Sequence, residues 1–212
     1  MLIPRYVKIS SMYRLLDVLF SFFGLILLLP LLLVLSILIK LDTRGPVFYR
    51  QKRVGRGNVD FSLYKFRSMR VDSDKLGLIT VGSRDSRITR IGFYIRRYKL
   101  DELPQLINVL IGDMSLVGPR PEVRKYVCYY SDQQMQILSV RPGITDMSSL
   151  KYRNENELLA CCDNPEDFYI KHIMPDKIDL NMTYINNKSI VLYFKIIYKT
   201  FFDVFFKCNH EL

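Results

Sequence analysis

Residues 18–39 read VLFSFFGLILLLPLLLVLSILI, and no charged residue interrupts them. The run exceeds the ~18 apolar residues that mark a membrane segment. It is longer than the apolar part of a secretory signal, and no small-residue cleavage site stands before KLDTRG at 40–45. A straight spanning helix is the ordinary alternative, and its flanks argue against it. Arg5, Lys8 and Arg14 precede the run, and Lys40, Arg44, Arg50, Lys52, Arg53 and Arg56 follow it. Positive charge marks the cytoplasmic side, and here it marks both ends. Pro30 stands near the middle, where it removes one helical hydrogen bond and kinks the helix. A re-entrant helix, bent at Pro30 and returning to the face it entered, accounts for both facts. Backbone groups freed at the bend need partners, since lipid supplies none. The expected organisation is a membrane-embedded segment over residues 1–40 and one compact domain on the cytoplasmic face over 41–207.

A second apolar stretch, SIVLYFKIIYKTFFDVFFK at 189–207, carries Lys195, Lys199, Asp203 and Lys207 at intervals of four. On a helix these form a narrow polar stripe on an aromatic-rich cylinder. That pattern suits an interfacial C-terminal helix with its lysines near anionic lipid. A core helix with one wet edge fits the same spacing.

The composition suits this organisation. Of 212 residues, 49% are hydrophobic and 25% charged, which describes a globular chain and not a disordered one. A formal charge of +10 calls for an anionic partner: nucleic acid, anionic lipid or a phosphorylated substrate. The four cysteines show no CxxC and read as reduced thiols. His172 and His210 are the only histidines, too few for a His-based zinc site.

Between the two apolar stretches a helix-rich α+β fold is expected. GPVFYRQKRVG (45–55) and VDFSLYKFRSM (59–69) carry β-formers around GRGN, which predicts a short β-hairpin. Residues 70–90 are polar and predict a loop, and 91–98 a short basic helix. Pro104 suits the first turn of a helix over 104–111, because a proline there sacrifices no helical hydrogen bond. GDMSLVGPRP (112–121) reads as loop, 122–139 and 154–161 as helices, and RPGITD (141–146) as a turn.

Asp101 and Glu102 are adjacent, and Arg84, Arg87, Arg90, Arg96, Arg97, Lys99 and Arg120 surround them in sequence. Consecutive side chains cannot both enter a core from one helix or strand, so at least one is exposed or engaged. At the head of the 104–111 helix, the macrodipole favours both as anions. The arginines lack the interleaved aromatics of a stacking platform, which argues against nucleic acid. Phosphoryl transfer needs cations on the phosphate oxygens, Mg²⁺ on one or two carboxylates, and in some enzymes a carboxylate nucleophile. Lys65, Arg67, Arg96 and Arg120 are the candidate cations. From the residues alone, a structural salt-bridge cluster stands equally open. Asp72-Ser73-Asp74 resembles a short acidic metal motif and leaves open a metal-dependent glycosyltransferase that releases UDP; a turn accounts for it as well. A non-catalytic membrane adaptor is a third reading.

GPVFYRQKRVG, YKFRSM (64–69), RITRIGFYIRR (87–97), LDELPQLINVLIGDMSLVGPRPE (100–122) and RPGIT (141–145) occur in that order. Together they resemble the small monotopic phosphoglycosyl transferases, the bacterial sugar transferases that begin capsule, O-antigen and related glycans. The resemblance runs from about residue 12 to residue 200. It implies a re-entrant helix bent at Pro30 on the bacterial inner membrane, with the catalytic domain facing the cytoplasm. It also implies transfer of sugar-1-phosphate from a UDP-sugar to undecaprenyl phosphate, with release of UMP. By position, Asp101 is the implied nucleophile and Glu102 the implied Mg²⁺ ligand. Lys65, Arg67, Arg96, Arg120 with its flanking Pro119 and Pro121, and Arg141 are implied substrate contacts. The next glycosyltransferase of the pathway is a candidate partner. Three features depart from the family pattern: Leu29 before the bend proline, Tyr193 in place of an aspartate, and GITDMSSLKYRNENELL at 143–159.

Overall fold

The computed structural model describes residues 3–73 and 85–205. Asp74, Arg84, Lys207 and His210 lie outside the described residues. Helix α1, Ile3–Asp42, carries the apolar run with Pro30 inside it. It precedes the hairpin strands β1 (Phe48–Val54) and β2 (Asp60–Phe66), then helices α2 (Arg90–Arg97) and α3 (Gln105–Ile111). Strand β3 (Ser115–Val117), α4 (Arg124–Val127) and β4 (Gly143–Thr145) follow. The chain closes with α5 (Met147–Lys151), α6 (Glu155–Ala160), α7 (Pro165–Phe168), a π-turn over Tyr169–Ile173, α8 (Met174–Asn186) and α9 (Ile190–Phe205).

One face of α1 packs on the rest of the molecule. Tyr13, Asp17, Ser21, Leu35 and Ile39 are buried, at spacings that keep them on one side of a helix. The opposite side exposes Phe23, Ile26, Leu27, Leu29, Leu33 and Leu41, an apolar strip that water would penalise. Both ends of the helix are anchored. Near its start, the Asp17 carboxylate accepts from Ser115 Oγ (2.7 Å), Leu116 N (2.9 Å) and Tyr193 Oη (2.8 Å). Arg14 donates to the Val109 and Leu110 carbonyls at 2.6 and 3.0 Å, satisfying the open C-terminal end of α3. Near its finish, Leu35 and Ile39 join Phe66 and Ile95 in one buried cluster. Two hydrophobic clusters therefore draw residues from both sides of Lys40.

The hairpin forms as the sequence predicts, antiparallel with Phe48 opposite Phe66 and Val54 opposite Asp60. Gly57 (φ 70°) and Asn58 (φ 65°) take the left-handed turn positions that these two residue types tolerate best. Asn108, fully buried on α3, accepts from Tyr64 N (2.9 Å) and donates to Ser62 O (2.8 Å), fastening α3 to β2.

Two expectations change. The segments read as loop (112–121) and as turn (141–146) contribute β3 and β4, which pair in parallel. Each strand is three residues long, too short to show a period of two, and Asp17 holds β3 in place from a helix about a hundred residues away. Gly118 and Gly143 allow the close approach beside the pair, since a Cβ on Gly143 would collide with the Gly118 backbone. The single helix expected over 122–139 is interrupted: α4 ends at Val127, and a separate 3₁₀ turn spans Gln134–Ser139. Ser131 N donates to Gln134 Oε1 (2.9 Å) and Gln134 N to Ser131 Oγ (3.3 Å), a reciprocal cap that starts a new turn.

In α9, Tyr193 and Ile196 are buried, while Val191, Phe194, Tyr198, Phe201 and Phe202 are exposed. Phe194 meets Phe20 of α1 edge to face at 6.0 Å, which joins the two exposed apolar faces.

Candidate active site

The acidic pair sits in a connection made tight by three local choices. Thr89 caps α2, its Oγ1 accepting from Gly92 N at 2.9 Å. At the other end of α2, Lys99 adopts φ 55°, a left-handed conformation unusual for a residue with a side chain. That reversal leads into a 3₁₀ turn over Leu100–Glu102, and Pro104 then starts α3. Asp101 and Glu102 thus stand in one short turn at the head of α3, where the sequence predicts them.

Both carboxylates line a cavity of about 1060 Å³, together with Lys65 from β2, Arg96 from α2 and Arg120 from the segment after β3. Glu102 Oε1 accepts from Lys65 Nζ at 3.4 Å and from one terminal nitrogen of Arg120; the other Arg120 nitrogen donates to Oε2 at 3.3 Å. Burial alone would raise the Glu102 carboxyl, but Arg120 and Lys65 outweigh it and hold that carboxyl well below its usual range. The same pairing pushes the Arg120 guanidinium up. Burial lowers the Lys65 ammonium, and the charges of Glu102 and Asp101 oppose the shift. Asp101 is 6% exposed, and among the described residues its carboxylate makes no hydrogen bond or ion pair. The two acids differ: Glu102 is clamped by two cations, while the Asp101 carboxylate is buried without a polar partner among the described residues.

The remaining sequence candidates divide. Arg67 borders the cavity, yet its guanidinium donates to the Thr43 and Arg44 carbonyls at 2.7 and 2.6 Å and caps α1. The same guanidinium reaches the Ile39 carbonyl in the last turn of α1 at 3.4 Å, so Arg67 also ties the cavity wall to the end of that helix. Pro119 and Pro121 frame Arg120: the Pro119 carbonyl accepts from Gly143 N (2.9 Å) and the Pro121 carbonyl from Arg53 (2.9 Å). Arg141 stands apart from the cavity lining, its Nε donating to Gly112 O at 2.8 Å. Pro30 also stands apart. Asp72 borders the cavity with φ 65°, while Asp74 lies outside the described residues. Sequence reasoning missed Asp17 and Asn108. The signal for Asn108 was a lone amide within the apolar LINVLI, since a polar residue there must find partners.

Among the described residues no three acidic, histidine or cysteine side chains converge as a metal cage. Two adjacent carboxylates still suit Mg²⁺, which takes one or two protein carboxylates and completes its shell with water and substrate phosphates. The donors are hard oxygens, and Glu102 is kept ionised, so the pair fits such an ion.

Residues 9–207 match the bacterial sugar transferase family. The UDP-N-acetylgalactosamine-undecaprenyl-phosphate N-acetylgalactosaminephosphotransferase of Aeromonas hydrophila is 40% identical over 187 residues, 87% of this chain and 41% of its own length. The UDP-glucose:undecaprenyl-phosphate glucose-1-phosphate transferase of Xanthomonas campestris is 39% identical over 176 residues, 81% of this chain and 34% of its own. The exopolysaccharide production protein PSS of Rhizobium leguminosarum is 38% identical over 194 residues, 88% of this chain and 92% of its own. The chain thus spans less than half of the first two relatives and nearly all of the third. With its matched region running almost from end to end, the chain belongs to the bacterial sugar transferase family.

Proposed function

We propose that this protein transfers sugar-1-phosphate from a UDP-sugar to undecaprenyl phosphate at the cytoplasmic face of the bacterial inner membrane. UMP is released, and the product begins a surface glycan. The observation that carries this reading is the unpaired, buried Asp101 carboxylate beside a Glu102 that two cations keep ionised. Relatives named for sugar phosphate transfer to undecaprenyl phosphate support it.

In the first half-reaction an Asp101 oxygen attacks the phosphorus that bears the sugar. The bond from that phosphorus to the bridging oxygen breaks, UMP leaves with that oxygen, and an aspartyl phosphosugar remains. In the second, the phosphate oxygen of the lipid attacks the same phosphorus and frees the Asp101 carboxylate. Lys65, Arg96 and Arg120 gather charge on the transferring phosphate. Glu102 is the residue that would hold Mg²⁺, and that ion would supply further charge neutralisation on the diphosphate. Lys65 and Arg120, which meet Glu102 in the structure, are the cations that would meet the substrate oxygens.

The re-entrant course of α1 belongs to the same proposal. Tyr13, Asp17 and Arg14 near one end and Leu35 and Ile39 near the other pack on one globular body. A helix that crossed the bilayer would carry one of those ends to the far side.

The test incubates the enzyme with Mg²⁺ and a panel of UDP-sugars, without lipid. Release of UMP and a sugar-phosphate adduct by intact mass are expected with the true donor. Release of UDP only on adding acceptor would favour the glycosyltransferase reading through Asp72 and Asp74. No turnover with any donor and lipid would favour the adaptor.

A further inference from the structure

The cavity that holds the acidic pair changes character along its length. Lys65, Arg96 and Arg120 stand with the carboxylates, but Leu103 follows Glu102 directly, and Leu106 comes one turn further along α3. Beyond them the lining includes Gly24 and Leu28 of α1 and Ile197, Thr200, the half-exposed Phe201, Asp203 and Val204 of α9. A Cβ placed on Gly24 would lie 3.6 Å from Leu106 Cδ1, so α1 and α3 pass within van der Waals reach there. Helices α1 and α9 touch at Phe20 and Phe194. Gly24 and Leu28 follow about one and two turns after Phe20, and Ile197 and Phe201 about one and two turns after Phe194. The outer faces of the same helices expose Phe23 and Leu27, and Tyr198 and Phe202. A largely apolar arm, with Thr200 and Asp203 on its α9 wall, therefore lies between the carboxylates and two helices whose outer faces are apolar.

We propose that this arm receives the isoprenoid tail of the acceptor, which leaves the site between α1 and α9 past Gly24. The inference rests on the acceptor reading under Proposed function. The lining selects the occupant: a ligand with a phosphate head for Lys65, Arg96 and Arg120, and a mainly apolar remainder for an arm whose Asp203 would repel a second anion. Glycine at position 24 keeps the passage open, because any side chain there projects toward Leu106.

The experiment narrows the arm from opposite walls with Gly24→Leu and, separately, Ile197→Trp, in detergent micelles free of phospholipid. Adduct formation from UDP-sugar without lipid reports the donor half-reaction. Transfer of the adduct to added undecaprenyl phosphate reports the acceptor half-reaction. Both variants should form adduct within about twofold of wild type and lose transfer by about tenfold or more, as overpacking of a fitted passage predicts. Leu27→Phe, on the outer face of α1, should keep both steps. Equal losses in both half-reactions, normal transfer by both variants, or a matching transfer loss in Leu27→Phe would overturn the proposal. A wild-type enzyme that forms no adduct would instead overturn the reading of the reaction, a separate result.

Discussion

Asp101 and Glu102 are neighbours in sequence with different surroundings, and their substitutions should separate. Asp101→Asn keeps volume and removes the attacking oxygen, so turnover should fall by roughly a thousandfold or more, as for other lost nucleophiles. The sugar-phosphate adduct should vanish from the intact mass. Glu102 is expected to respond through pH. Burial pushes its carboxyl up, and Arg120 and Lys65 pull it further down. A carboxyl depressed in the folded state contributes stability that is fully present above the unfolded value near ~4.3 and lost as pH falls through the lower folded value. In Arg120→Met the burial remains while one cation is gone, so the carboxyl rises. The acid limb of the kcat/KM–pH profile for UMP release, which reports the free enzyme, should then move toward neutrality, beyond any uniform loss of rate. A profile that drops without moving would show that Arg120 does not set the charge of Glu102.

At the scale of elements, the fold depends on a few buried polar and close-packed joints. Asn108→Leu would leave Tyr64 N and Ser62 O without their partners, at a cost of about 2–4 kcal/mol, read as a lower thermal midpoint in micelles. Gly143→Ala would force the β3–β4 joint apart and cost about 1–3 kcal/mol. These joints also show what the sequence could reveal. The hairpin, the basic helix α2 and the acidic pair at the head of α3 were legible, because β-formers around GRGN, a short run of basic residues and Pro104 are local signals. The β3–β4 pair was not, since its strands are three residues long and its register depends on Asp17 of α1. Tyr193 read as a departure, standing in place of an aspartate, and its hydroxyl donates to that same Asp17. Arg67 and Arg14 read as substrate contact and topology signal, and both cap helices through carbonyls that only folding brings near.

For the whole molecule, the course of α1 is open to direct labelling. With Cys128, Cys161, Cys162 and Cys208 replaced, single cysteines at Pro4 and Arg44 should both react only with reagent on the cytoplasmic side. Labelling at position 4 from outside would establish a spanning helix. Pro30→Ala restores the missing backbone donor and should shift some molecules toward that spanning form. The way α1 is seated carries a practical corollary for anyone wishing to handle the enzyme in plain buffer. Deleting the greasy N-terminus, the usual route to a soluble catalytic fragment, would here strip Leu35 and Ile39 from Phe66 and Ile95. It would also remove the Asp17 that Ser115 and Tyr193 lean on. Such a fragment should be recovered as aggregate, because the segment that meets lipid on one side is, on its other side, interior.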